Sequence, residues 1–126
     1  HTNVKVPYFL TQQLVELIPA GGQVLAISSV GGVDGSVKFP GLSLYSSSKG
    51  ALNILVECLA EELRPRGVVV NALALGSSAT EMFKAAFPDA EAASQPEEMG
   101  KYIAQFALNV GHLVNGRVHQ LASSNP

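Results

Sequence analysis

Apolar positions along this chain change their rhythm repeatedly, and each change marks an element. From Asn3 to Ile18, the residues Val4, Phe9, Leu10, Leu14, Val15, Leu17 and Ile18 recur mostly at helical spacing among polar positions, which predicts an amphipathic helix. Pro19-Ala20-Gly21-Gly22 ends it. Gln23 to Ser29 is a short apolar run bounded by glycines, the pattern of a strand buried on both faces. A Gly-rich loop is expected from Val30 to about Ser43, with Gly31, Gly32, Gly35, Pro40 and Gly41. Loops of that length are often functional.

Leu44 to Leu63 reads as a long helix with Leu52, Leu55, Val56, Leu59 and Leu63 in one stripe. Ala51, Ile54 and Cys58 widen the stripe, so little of this helix is expected to face water. Arg64-Pro65-Arg66-Gly67 breaks it, and Val68 to Leu75 predicts a second buried strand. Gly76 to about Ser94 is loop-like, with a short helix around Glu81 to Phe87. Pro96-Glu97-Glu98 opens another helix, because proline is tolerated in a first turn and acids complement the helix dipole there. That helix runs on through Tyr102, Ile103, Phe106 and Leu108, and Asn115-Gly116 turns the chain into a last strand from Arg117 to Ala122. Helices alternating with nearly all-apolar strands imply an α/β fold, a parallel sheet of three strands covered by three main helices.

Composition narrows the picture. With 126 residues the chain is one domain at most, and 47% hydrophobic against 14% charged residues suits a buried sheet or a piece covered by further chain. A net charge of −2 with scattered basic residues argues against nucleic-acid binding and against an anionic membrane surface. No apolar run approaches the roughly 18–20 residues that span a bilayer. Cys58 is the only cysteine, so no disulfide forms within the chain, and the cytoplasm is the expected compartment. The opening His1-Thr2-Asn3, without Met and at the edge of a helix, reads as a truncated chain.

The candidate chemistry centres on Tyr45-Ser46-Ser47-Ser48-Lys49. Tyr45 and Lys49 are four apart and fall on one helix face, one turn from each other. A free phenol titrates near pH 10, and bringing one near neutrality takes about three units, or about 4 kcal/mol. An ammonium ~4 Å away supplies about that much at an effective dielectric of 20. Ser29 is expected at the carboxyl end of a strand, where open parallel sheets bind ligands, and its hydroxyl can hold the oxygen that Tyr45 protonates. Asn3 can hold a water linking Lys49 to solvent. This is acid–base chemistry on a carbonyl or an alcohol.

These stretches resemble the classical short-chain dehydrogenase/reductase family. Thr2-Asn3-Val4 is similar to its Asn helix, Ala26 to Gly32 to its Ser strand, and Leu44 to Leu52 to its YxxxK helix. Arg64 to Ala72 and Asn115 to Val118 resemble the two later strands with their lead-ins. The resemblance implies the carboxyl-terminal half of a Rossmann-like doubly wound sheet. It implies hydride transfer between NAD or NADP and a carbonyl or alcohol substrate. Asn3, Ser29, Tyr45 and Lys49 are the catalytic set, and Tyr45, Lys49, Gly76 and Thr80 meet the cofactor. The family's Gly-rich phosphate turn and ribose selector have no counterpart here, and Leu75-Gly76 stands where it has Pro-Gly. The family also pairs the helices 3–18 and 44–63 across a homo-oligomer. The competing expectation is an inactive fragment that only associates through them.

Other residues invite plainer readings. Ser28 is a strand residue satisfied by backbone, and Cys58 is a core residue. His112 and His119 lack metal spacing. Gly31, Gly32 and Gly35 are loop formers rather than a phosphate cradle. Phe83 to Phe87 is either a substrate lid or a packed surface helix, and Asn71 fits a structural strand role as well as a functional one.

Overall fold

A computed structural model describes residues 2–76, 81–92 and 94–122. Three strands form one parallel sheet: β1 (Gln23–Ser29), β2 (Val69–Leu75) and β3 (Val118–Leu121), in the order β1-β2-β3. Among the described residues four α-helices, α1 (Lys5–Leu14), α2 (Ser43–Leu63), α3 (Glu81–Ala86) and α4 (Pro96–Gln105), precede and connect them, with α3 and α4 both between β2 and β3. The α/β architecture follows the expectation. Register pairs Ser29 with Leu75 and Leu75 with Leu121, so all three strands end along one carboxyl edge.

The core lies between α2 and one face of the sheet. Val56, Leu59, Ala60 and Leu63 of α2 pack on Val68, Val70 and Ala72, with Val15, Ile18, Val24, Ala26 and Val118 at the margin. Helical spacing on one element meets the two-residue period of the other. Asn71 and Leu73 alternate with that face and are fully buried. The Asn71 amide nitrogen donates to the Gln23 side chain and to the carbonyls of Gly111 and Val114, and its oxygen accepts from Arg117 N–H. Asn71 is therefore a structural knot.

Several expectations change in detail. α1 begins at Lys5 because Val4 is non-helical, with φ −123° and ψ −59°, so Asn3 stands in the turn before the helix. β1 is not buried on both faces: it is a sheet edge among the described residues, and Ile27 is 42% exposed. Cys58 is exposed rather than core, on the face of α2 that also leaves Leu44 and Ile54 uncovered. After Gln105 the helix widens into a π turn from Phe106 to Val110, and the Ala107 carbonyl accepts from Gln23. Nothing in the apolar spacing announces that turn. At Asn115-Gly116 the expected turn holds: Gly116 has φ +68°, and the pair exchanges hydrogen bonds with Val70.

Candidate active site

β1 and α2 build the site between them. Ser29 is the last residue of β1, and its Oγ accepts from Gly31 N–H at 3.1 Å, which caps a short 3-10 turn over Val30–Gly32. That bond occupies a lone pair and leaves the hydroxyl hydrogen free to be donated. One residue back, Ser28 is buried, and its Oγ donates to the Lys49 carbonyl at 3.4 Å, as expected of a residue satisfied by backbone.

Tyr45 lies in the first turn of α2, and its ring is partly open to solvent. Lys49, one turn on, sends Nζ to the Ile27 carbonyl at 3.0 Å and sits 5.9 Å from the centre of the Tyr45 ring. The ammonium thus hovers over the ring and is anchored to β1. Burial beside the sheet lowers the Lys49 pKa below the ordinary lysine value, because desolvation disfavours the ammonium.

Asn3 meets α2 through Ser48. Its Nδ2 donates to Ser48 Oγ at 2.9 Å, and Ser48 Oγ donates to the Tyr45 carbonyl at 2.8 Å. The start of α1 is thereby tied to the turn that carries Tyr45. Gly76 continues β2 at the same edge; its N–H donates to the Leu121 carbonyl, and an added Cβ would stand 2.6 Å from that of Ala122. Its glycine identity is explained by packing against β3. Thr80 lies outside the described residues, as does the side chain of Phe83.

Two features had no clear signal in the sequence. The loop after β1 is self-bonded: Ser36 Oγ donates to the Val30 and Val33 carbonyls, and Lys38 Nζ to Val33 O, Ser36 O and Ser36 Oγ. Phe39 at its end meets Phe87, ring centres 5.7 Å apart, joining this loop to the segment after α3. A groove of about 760 Å³ runs between the loop and α2, lined among others by Gly31, Phe39, Leu42, Ser46 and Asn53. Ser29, Tyr45 and Lys49 do not line it, so the groove flanks the candidate site.

Residues 1–91 match the family model for short chain dehydrogenase, and the chain belongs to that family. It is 39% identical over 103 residues to a diacetyl reductase [(S)-acetoin forming] of Staphylococcus aureus, an alignment covering 79% of this chain and 36% of the relative. A dehydrogenase/reductase from Sinorhizobium meliloti superposes with a TM-score of 0.80 at 26% identity, covering 98% of this chain and 52% of that one. BdcA, solved in complex with NADPH, superposes with a TM-score of 0.80 at 28% identity, covering 94% and 52%. The chain therefore spans between about a third and a half of the length of these proteins.

Proposed function

We propose that residues 1–126 are the carboxyl-terminal catalytic portion of a single Rossmann-like short-chain dehydrogenase/reductase domain. That domain transfers hydride between NAD or NADP and a carbonyl or alcohol. The observation that supports the reading is that Lys49 of α2 reaches the Ile27 carbonyl, two residues before Ser29, and stands over the Tyr45 ring in a member of this family. BdcA's bound NADPH supports a nicotinamide cofactor, and the diacetyl reductase makes a small dione the first substrate to try.

The residues fit the ribose end of such a cofactor. Lys49 spends one ammonium hydrogen on Ile27 and keeps two more, and the Tyr45 ring is solvent-accessible. Gly76 and Thr80 complete the cofactor side. A bound nicotinamide would supply the hydride for the carbonyl carbon, or accept it from the alcohol. In the reducing direction Tyr45 donates its phenolic proton to the carbonyl oxygen, and Ser29 donates a hydrogen bond to the same oxygen. The Lys49 charge stabilises the negative charge left on Tyr45, and Asn3 orients the turn through Ser48 and joins the route by which the proton is replaced. We assign the protein to the cytoplasm, with neither nucleic acid nor membrane as partner. Among the described residues no helix is long and apolar enough to cross a bilayer.

Cofactor titration followed by thermal shift tests this reading. Ligand at a hundredfold excess over Kd stabilises a complete site by about 2.7 kcal/mol. No shift with millimolar NADH or NADPH confines the oxidoreductase reading to a longer chain.

A second reading has its own observation. Phe9, Leu10 and Leu17 of the first helical segment and Leu44 and Ile54 of α2 are each more than half exposed. Apolar patches of this kind mark association surfaces. We assign this face to homo-oligomerisation through the helices 3–18 and 44–63, which a cofactor-free chain retains. Sedimentation of the wild type and of Leu17→Lys and Ile54→Lys variants checks it, and a monomeric wild type rules it out.

A further inference from the structure

We propose that Gly32, backed by Ser28 and Asn53, is a positioning residue: it seats the α2 backbone against the end of β1 at Lys49, and thereby fixes the ammonium on Ile27 and over Tyr45. Its use in proton handling rests on the oxidoreductase reading; the seating itself does not.

A Cβ built on Gly32 would stand 2.6 Å from both the carbonyl carbon and the Cβ of Lys49, and 2.7 Å from Gly50 N. Two of those three are helix backbone atoms, which cannot swing aside as the tip of a side chain can. The loop after β1 therefore lies backbone to backbone on α2 at the residue that carries the ammonium. Gly50 answers from the other side, since a Cβ there would lie 3.3 Å from the Gly32 carbonyl.

Two polar contacts close around the same point. Asn53, one turn beyond Lys49 and 7% exposed, donates from Nδ2 to the Gly32 carbonyl at 3.2 Å. Buried Ser28 donates to the Lys49 carbonyl. Gly32 and Ser28 thus hold the Lys49 turn from the β1 side, Asn53 of α2 reaches back to Gly32, and the Ser36 and Lys38 hydrogen bonds stiffen the loop behind Gly32.

Gly35 supplies the contrast. Its φ is +78° and nothing lies within 4 Å of an added Cβ, so its glycine serves conformation. Gly32 has no such φ, and its glycine serves room. Alanine at either position disturbs the loop, but only at Gly32 does it push on Lys49.

The test is a pH titration of the Lys49 side chain by NMR in the chain labelled with 13C-lysine, with Lys49→Arg to assign the resonance. Wild-type Lys49 is expected to titrate below an ordinary lysine, and Gly32→Ala to move its midpoint upward toward that value as the displaced helix hydrates the ammonium. Asn53→Ala, which deletes one contact, moves it the same way by less. Gly35→Ala leaves it in place while lowering Tm. An ordinary midpoint in the wild type overturns the proposal, as does a Gly32→Ala midpoint equal to wild type or an equal shift from Gly35→Ala. If Gly32→Ala does not fold, an unchanged midpoint in folded Asn53→Ala overturns it. NADPH binding by the wild type, measured in parallel, reports separately on whether the oxidoreductase reading applies to this chain or only to a longer one.

Discussion

β1 and β2 are both seven residues long, with four apolar residues in β1 against six in β2, and they do different work. β2 holds Val70, Asn71, Ala72, Leu73 and Ala74 fully buried, with chain on both faces and a strand on each side. Among the described residues β1 pairs with β2 alone, and of its seven residues only Ser28 is buried. The difference teaches where chemistry can sit. β2 forms the packed centre of the described sheet, whereas β1 gives the Ile27 carbonyl to the Lys49 ammonium and ends on Ser29, whose hydroxyl caps the following turn.

The sharpest way to break that comparison is Asn71→Ala. It leaves the buried Gly111 carbonyl and the part-buried Arg117 N–H, Val114 carbonyl and Gln23 side chain without their Asn71 partner, and each buried polar group left unmade costs about 1–3 kcal/mol. A loss of about 3 kcal/mol or more is expected in urea unfolding. Leu73→Ala follows at about 2–5 kcal/mol, the range for a buried leucine. Ile27→Ala in β1 should cost about 1 kcal/mol or less because its side chain is already half in water. Equal losses at Leu73 and Ile27 would erase the contrast between the strands.

Lys49→Met sharpens the chemical side. The folded chain holds Lys49 below its ordinary value, so between the depressed pKa and about 10.5 the unfolded state binds more protons and stability rises with pH. Below the depressed pKa the cost of the buried charge is present in full. Subtracting the stability–pH curve of Lys49→Met should isolate a contribution that climbs through that alkaline window. A flat difference shows that Lys49 is as solvated as any surface lysine. The smallest effect belongs to Glu16→Gln. Arg66 bonds the exposed Glu16 carboxylate and lowers its pKa, so its contribution is present above the ordinary glutamate value and fades as pH falls through the lowered one. Only a slight change in the acid limb of a Tm–pH profile is expected.

Local pattern and local chemistry were legible where neighbours in sequence decide them. The helical stripe from Leu52 to Leu63, the alternation of helices and strands, and the i, i+4 placement of Tyr45 and Lys49 all follow from periodicity. Cys58 shows the limit. Its stripe was wide enough to look buried, but the sheet covers only the turns at Leu52, Val56, Leu59 and Leu63, and how wide a helix face is covered depends on what packs there. Gly32 shows the same from the other side, because a run of loop glycines does not say which one has a helix backbone against it.

What the sequence by itself determined is the order of elements and the pair of groups on one turn of α2, because hydrophobic period and helical pitch are properties of neighbouring residues. The tertiary structure alone decided that Lys49 is held by the Ile27 carbonyl, that Asn3 joins α2 through Ser48, and that Asn71 is a knot rather than a site residue. Those contacts link residues 22, 45 and 40 positions apart, and such distant pairs are specified only when the packed sheet brings the strands and helices together.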